Sequence, residues 1–232
     1  VTGGLLINGT NIKSLNKRAL NHGDGVNPSL ASWTAGTLAI SDAAVFSNKA
    51  GATFNTNFDG LIEHRGGAGS TFVNEGTFTK SGGTGSTVFS DNIGFFNSGT
   101  INVNSGTLEI RNGGGTHSGT VNISAGCAMN FNGGTHQFSA GASFIGAGTV
   151  RLSLGTLSVN NDLTIASPFH FNAPGPTTSL GGTRAFLNGA GVINVTGPMI
   201  WSVTNDATFG WIGTGEIVGV NEVGIGSLGG AI

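Results

Sequence analysis

The sequence predicts an all-β fold, a right-handed parallel β-helix (β-solenoid) with three short strands per coil of about 21 residues. Three observations carry that prediction. Charged residues make up 9% of the chain and 43 of its 232 residues are Gly, against roughly 25% charged and 7% Gly in an average globular domain. Turns are therefore many and solvated helices few, which excludes a helix bundle or coiled coil. A unit Gly-Thr-apolar-x-apolar recurs about every seven residues and returns to phase at every third copy. Within each unit apolar and polar residues alternate, the pattern of a strand with one buried face.

The units are Gly99-Thr100-Ile101-Asn102-Val103, Gly106-Thr107-Leu108-Glu109-Ile110, Gly119-Thr120-Val121-Asn122-Ile123, Gly148-Thr149-Val150-Arg151-Leu152 and Gly155-Thr156-Leu157-Ser158-Val159. Degenerate copies start at Gly126, Gly134 and Gly141. Every third start gives the series 99, 119, 141 and 106, 126, 148. So short a unit cannot bury its own apolar face, so the units must stack. Alternation sends Ile101/Val103, Leu108/Ile110, Val121/Ile123, Met129/Phe131, Val150/Leu152 and Leu157/Val159 inward. Asn102, Glu109, Asn122, Asn130, Arg151 and Ser158 are expected to face water. A sandwich or propeller strand alternates too, but hairpin strands repeat at roughly 8–12 residues and hold no threefold superperiod. About eleven coils at a 4.8 Å strand spacing would form a rod on the order of 50 Å long. Right-handedness is the usual preference of parallel crossovers. Gly supplies the corner geometry, and the following β-branched Thr is placed to stack on the Thr of the next coil. Asn97, Asn104 and Asn112 are expected to take left-handed corner conformations.

Two stretches depart from the repeat. Residues 11–22, NIKSLNKRALNH, place Ile12, Leu15, Ala19 and Leu20 near helical spacing before Gly23, which reads as a short amphipathic cap or a long loop. Residues 1–32 are accordingly expected to be an N-terminal cap and first coil, with the solenoid over 33–232. Residues 167–183 contain Pro168, Pro174 and Pro176 and read as a loop thrown from a corner, because proline cannot donate into a ladder. The chain's last stretch, VGIGSLGGAI, carries no polar cap, so Val223, Ile225, Leu228 and Ile232 are candidates for a self-association end. With Val1 in place of an initiator Met and no signal-like segment, the sequence reads as a processed or excised piece.

Concentrated chemistry is sparse. A net charge of −2 gives no electrostatic case for nucleic acid, and the apolar runs are too short to span a bilayer. The only Cys, Cys127, permits no internal disulfide and reads as a small buried hydrophobe. The five histidines, His22, His64, His117, His136 and His170, show no metal-ligand spacing. Stacking could bring His117 and His136 within a coil of each other, but solvated corner positions are the expectation. Gly224-Ile225-Gly226-Ser227-Leu228-Gly229 spells a dinucleotide fingerprint without the helix and acidic residue that site needs. The acids are scattered singly, so no carboxylate pair is evident. Glu63-His64-Arg65 is the one dense polar cluster, read as a solvated loop. No catalytic residue, metal or cofactor is expected.

The segments FVNEGTFTKSGGTGSTVF, FFNSGTINVNSGTLEIRNGGGTHSGTVNISAGCAMNFNGGTHQF and GAGTVRLSLGTLSV resemble the strand repeats of bacterial secreted and surface β-helix proteins, the autotransporter passengers and filamentous adhesins. That resemblance implies an extracellular or cell-surface scaffold, adhesin or matrix component, and carries over no functional residue. The expectation is a non-catalytic structural rod that associates with itself into a fibre, sheath or surface layer. The alternative is an adhesin or glycan-binding module using Phe169, His170 and Phe171, with a polysaccharide lyase or hydrolase less favoured. Ice binding needs a flat T-x-T array, whereas the Thr of the repeat are expected at corners, once per unit.

Overall fold

In the computed structural model the chain is a parallel β-solenoid. The structure describes residues 1–90, 92–173, 185–203, 210–211, 217–218 and 221–225, with backbone alone at 172–173 and beyond Ile200. The first coil contains β1 (Leu5–Ile7), β2 (Lys13–Asn16) and β3 (Ala19–His22), and each strand begins one wall. The first wall is a ten-stranded sheet running from β1 through Ser29–Trp33, Ala52–Thr56, Thr77–Lys80, Thr100–Val103 and Thr120–Ile123 to Ile217–Val218. The second and third walls, begun by β2 and β3, join where the strands Ala128–Phe138 and Thr149–Val159 each run round a corner. Adjacent coils pair in parallel, as in Thr77↔Thr100 and Thr100↔Thr120. A coil takes about 23 residues, slightly more than the repeat suggests because corners such as 23–28 hold extra residues. Ten levels at about 4.8 Å give a rod on the order of 45 Å.

Inward positions follow the alternation. Ile101, Val103, Leu108, Ile110, Met129, Phe131, Val150, Leu152, Leu157 and Val159 are all buried. On the third wall Phe46, Phe72 and Phe95 lie in register. The Phe46 and Phe72 rings stack with centroids 5.0 Å apart, and Phe72 and Phe95 at 5.9 Å. On the first wall Phe54 and Phe78 stack at 5.5 Å, edge-on to the other column, with Phe54 and Phe72 also 5.5 Å apart. Such pairs contribute about 0.5–1.5 kcal/mol each beyond the area they bury. The corners need Gly for close approach: a Cβ on Gly99 would overlap the Gly76 carbonyl oxygen, and one on Gly119 the Gly99 carbonyl oxygen. This is why Gly precedes Thr in the unit.

Several expectations are corrected. Residues 11–22 form β2 and β3 rather than a helix or long loop; Leu15 and Leu20 pack against the core as strand residues. Of the expected loop at 167–183, Phe169–Ala173 is a strand paired to Val150–Leu152, and 174–183 lie outside the described residues. Asn112 has the expected positive φ, 47°, but Asn97 ends the strand Ile93–Asn97 with its side chain buried. Glu109 and Ser158 point away from the core yet are buried by their neighbours. The first-wall Thr lie on the wall itself rather than at corners: Thr53, Thr77, Thr100 and Thr120 are strand residues in mutual register.

Candidate functional site

The residues singled out for contact are mostly not available for it. Phe169 and Phe171 are fully buried on the inner face of the second wall, because the strand's alternation turns both inward and leaves only His170 outside. They therefore form no exposed aromatic pair. His170 sits beside Arg151 of the preceding coil, and burial, then the Arg151 charge, lowers its pKa. Val223 and Ile225 belong to the strand Asn221–Ile225, whose side chains lie outside the described residues, as do Leu228 and Ile232. Cys127 is free and buried. In the Glu63-His64-Arg65 cluster the Arg65 guanidinium pairs with Glu63, and His64 Nε2 lies 3.3 Å from the Gly67 carbonyl. Among the described residues no three His, Cys, Asp or Glu side chains are grouped to hold a metal ion.

The third wall carries an internal polar column that lies outside the Gly-Thr repeat. His22, Asn48, Asn74, Asn97 and His117 occupy equivalent strand-end positions in successive coils, and all are buried. His22 Nδ1 donates to Asn48 Oδ1 at 2.9 Å, Asn48 Nδ2 to Asn74 Oδ1 at 2.8 Å, and Asn74 Nδ2 to Asn97 Oδ1 at 2.7 Å. Asn48 Nδ2 also reaches the Thr77 carbonyl and Asn74 Nδ2 the Thr100 carbonyl, both at 3.0 Å. One amide thus ties its neighbour and the next coil's corner, satisfying backbone groups that the turn into the first wall would orphan. The signal was present as Phe-x-Asn at Phe46–Asn48, Phe72–Asn74 and Phe95–Asn97, recurring once per coil.

Below Asn97 the column changes chemistry. Gly115 takes the register position under Phe95, where a Cβ would run into the Phe95 carbonyl, so the Phe column stops there. His117 and His136 lie beside each other in the core, with Nε2 and Nδ1 3.0 Å apart and both rings buried. They are not the solvated corner residues expected. His136 Nε2 lies 3.2 Å from the Gly133 carbonyl. A carbonyl only accepts, so Nε2 carries the proton and Nδ1 accepts from His117. Burial drives the pKa of His117 well below the ordinary imidazole value, with the neighbouring His136 adding to it. Burial lowers His136 to about 4, opposed by its bond to Gly133. Both rings are neutral at neutral pH.

The remaining buried charge is also structural. Lys80 ends a first-wall strand with its ammonium buried, donating to Asp59 Oδ1 at 2.9 Å and the Gly82 carbonyl at 2.8 Å. The hydrogen bond from Lys80 holds the Asp59 carboxyl below its usual range. On the second wall burial pushes Glu109 up, but hydrogen bonds from Arg111 and Asn132 outweigh it and the net shift is downward.

The first coil leaves the core open at one end. A cavity of about 340 Å³ there is lined by Leu5, Leu15, Leu20, Leu38 and Phe46, with Lys13 at its rim. β1, β2 and β3 each pair on one side only among the described strands. Among the described residues Val1 reaches the outer side of β3, its ammonium donating to the Asn21 carbonyl at 2.7 Å and its carbonyl accepting from Gly23 N at 2.8 Å. No protein-family model, curated protein or solved structure matches the chain.

Proposed function

We propose that the chain is a non-catalytic structural rod that stacks end to end with further copies of itself into an extracellular or bacterial cell-surface fibre. The open end of the first coil carries this reading. The edges of β1 and β2, and that of β3 up to its contact with Val1, surround an apolar cavity there, and a coil laid on them with Val1 displaced would continue every wall and close the core. The two ends of a parallel stack differ but are complementary, so an end opposite to β1–β3 would offer the strand edge that a first coil lacks. That is a head-to-tail contact which propagates rather than closes. The low charge of the chain, 9%, offers little repulsion between copies, and the strand repeats resemble those of bacterial surface β-helix proteins. A module held on a glycan through one wall is the second reading; the burial of Phe169 and Phe171 removes the aromatic contact it would use.

Sedimentation velocity over a concentration series tests the proposal. The chain is expected to give species that lengthen with concentration, and Leu15→Asp/Leu20→Asp, which charges the open end, to stay monomeric. Far-UV circular dichroism and the thermal transition establish that the variant folds. A wild-type chain that sediments as a monomer throughout would overturn the proposal.

A further inference from the structure

The first wall presents a two-column array of uncharged hydrogen-bonding side chains. Thr53, Thr77, Thr100 and Thr120 form one column, each directly above the next in unbroken register. Two residues along each strand, Asn55, Thr79, Asn102 and Asn122 form the second, paired by the same registers. The intervening residues, Phe54, Phe78, Ile101 and Val121, are buried, so the pleat turns both columns outward together. Columns of this kind repeat every ~4.8 Å across the strands and every ~6.6 Å along them. No bulge interrupts the four levels.

We propose that this face binds ice, by ordering water into a layer that matches the crystal. The across-strand spacing is near the shorter lattice repeat of hexagonal ice, and the along-strand backbone spacing falls about a tenth short of the longer one, a difference that side-chain rotamers take up. Neither column contains a charged or aromatic residue from Thr53 to Asn122, which removes the usual means of holding a sugar ring or an ionic ligand. The hydroxyls of Thr53, Thr77, Thr79 and Thr100 bond to no group among the described residues, while Asn122 Nδ2 donates to Asn102 Oδ1 at 2.9 Å and fixes the end of the second column. The β-branched Thr side chain has few χ1 states to lose, so the array is ordered before water reaches it and little entropy is lost on binding. Thr methyls leave troughs between columns in which water is caged, and the hydroxyls anchor that water. A growing ice front that incorporates the layer is pinned between adsorbed molecules and curves. Among the described residues the second and third walls carry no equivalent: their outward positions include Glu109, Arg151 and His170 on one and Val73 and Phe96 on the other.

The test is thermal hysteresis and ice-crystal shaping by the purified chain over a dilution series, continued to concentrations at which it sediments as a monomer, so that the result does not depend on self-association. The expected result is faceted crystals and a hysteresis gap that grows with concentration. Thr100→Tyr, which raises a ring from the middle of the face, is expected to reduce the gap at least tenfold. Val73→Tyr on the third wall is expected to leave it unchanged, and circular dichroism is expected to show both variants folded. Thr77→Val and Thr77→Ser divide the effect between methyl and hydroxyl if Thr100→Tyr fails to fold, each being expected to narrow the gap. Ice that grows unshaped at every concentration overturns the proposal, as does a Thr100→Tyr chain that is folded and fully active. Binding to crystalline cellulose or chitin with ice left unaltered overturns it in favour of a polysaccharide surface.

Discussion

Acid should loosen this rod well before its carboxylates protonate, and the His117–His136 pair is the cause. An unfolded imidazole titrates near 6.5, whereas burial holds His136 at about 4. The folded pKa is depressed, so the unfolded chain binds the additional proton. The contribution is fully present above pH 6.5 and is lost as pH falls from there through the folded value. Over those 2.5 units the loss from His136 is about 3 kcal/mol. His117, shifted the same way, adds a second proton, so unfolding should become easier by about 1.4 to 2.7 kcal/mol per pH unit below 6.5. The carboxylates held low, Asp59 and Glu109, act in the same direction but below pH 4.5. Urea unfolding followed by tryptophan fluorescence and circular dichroism at pH 7.5, 6.5, 5.75 and 5.0 therefore isolates the imidazoles. His117→Asn/His136→Leu continues the amide column and matches Leu157 of the next coil. It should lose most of that slope, keeping the part belonging to His170. A wild-type midpoint that does not move between pH 7.5 and 5.0, or a variant with the wild-type slope, would refute the reasoning.

Asn74→Ala breaks the amide column at its middle, leaving Asn97 Oδ1 and the Thr100 carbonyl without their donor. It should cost about 3 kcal/mol in urea unfolding, whereas Asn102→Ala on the outer face should cost under about 1 kcal/mol. Asp59→Asn strips the buried Lys80 ammonium of its counter-charge and should destabilise by about 3 kcal/mol, more than Lys80→Met, which removes the buried charge itself; the order of their thermal midpoints checks this. Gly119→Ala forces a methyl into the Gly99 carbonyl and should lower stability by about 2–4 kcal/mol, read by the same urea titration.

The stacked fold was legible because its cause is local: Gly where carbonyls of adjacent coils crowd, Thr entering each strand, and two apolar residues per strand. The first coil was obscured because Lys13, Lys17 and Arg18 make β2 and its corner polar. Lys13 turns its ammonium onto the carbonyls of Gly9 and Asn11, which no periodicity encodes. The same limit hid the histidine pair. His117 and His136 are 19 residues apart, and they meet only once the coils that carry them are stacked. Phe169 and Phe171 flank His170 as an exposed aromatic motif would, but alternation in a strand gives the same spacing, and only pairing with Val150 and Leu152 decides which face they take. The Thr array was readable as Thr-x-Asn and Thr-x-Thr within strands; its two-dimensional register became visible only once the coils were stacked.

Electron microscopy of the purified chain at rising concentration tests the central claim, that the open coil end joins copies head to tail. Unbranched filaments one solenoid wide, with an axial repeat of about 45–50 Å and a continuous ~4.8 Å strand spacing along the axis, are the expected result. Isolated short rods at every concentration, or side-by-side sheets whose coil ends remain free, would contradict it.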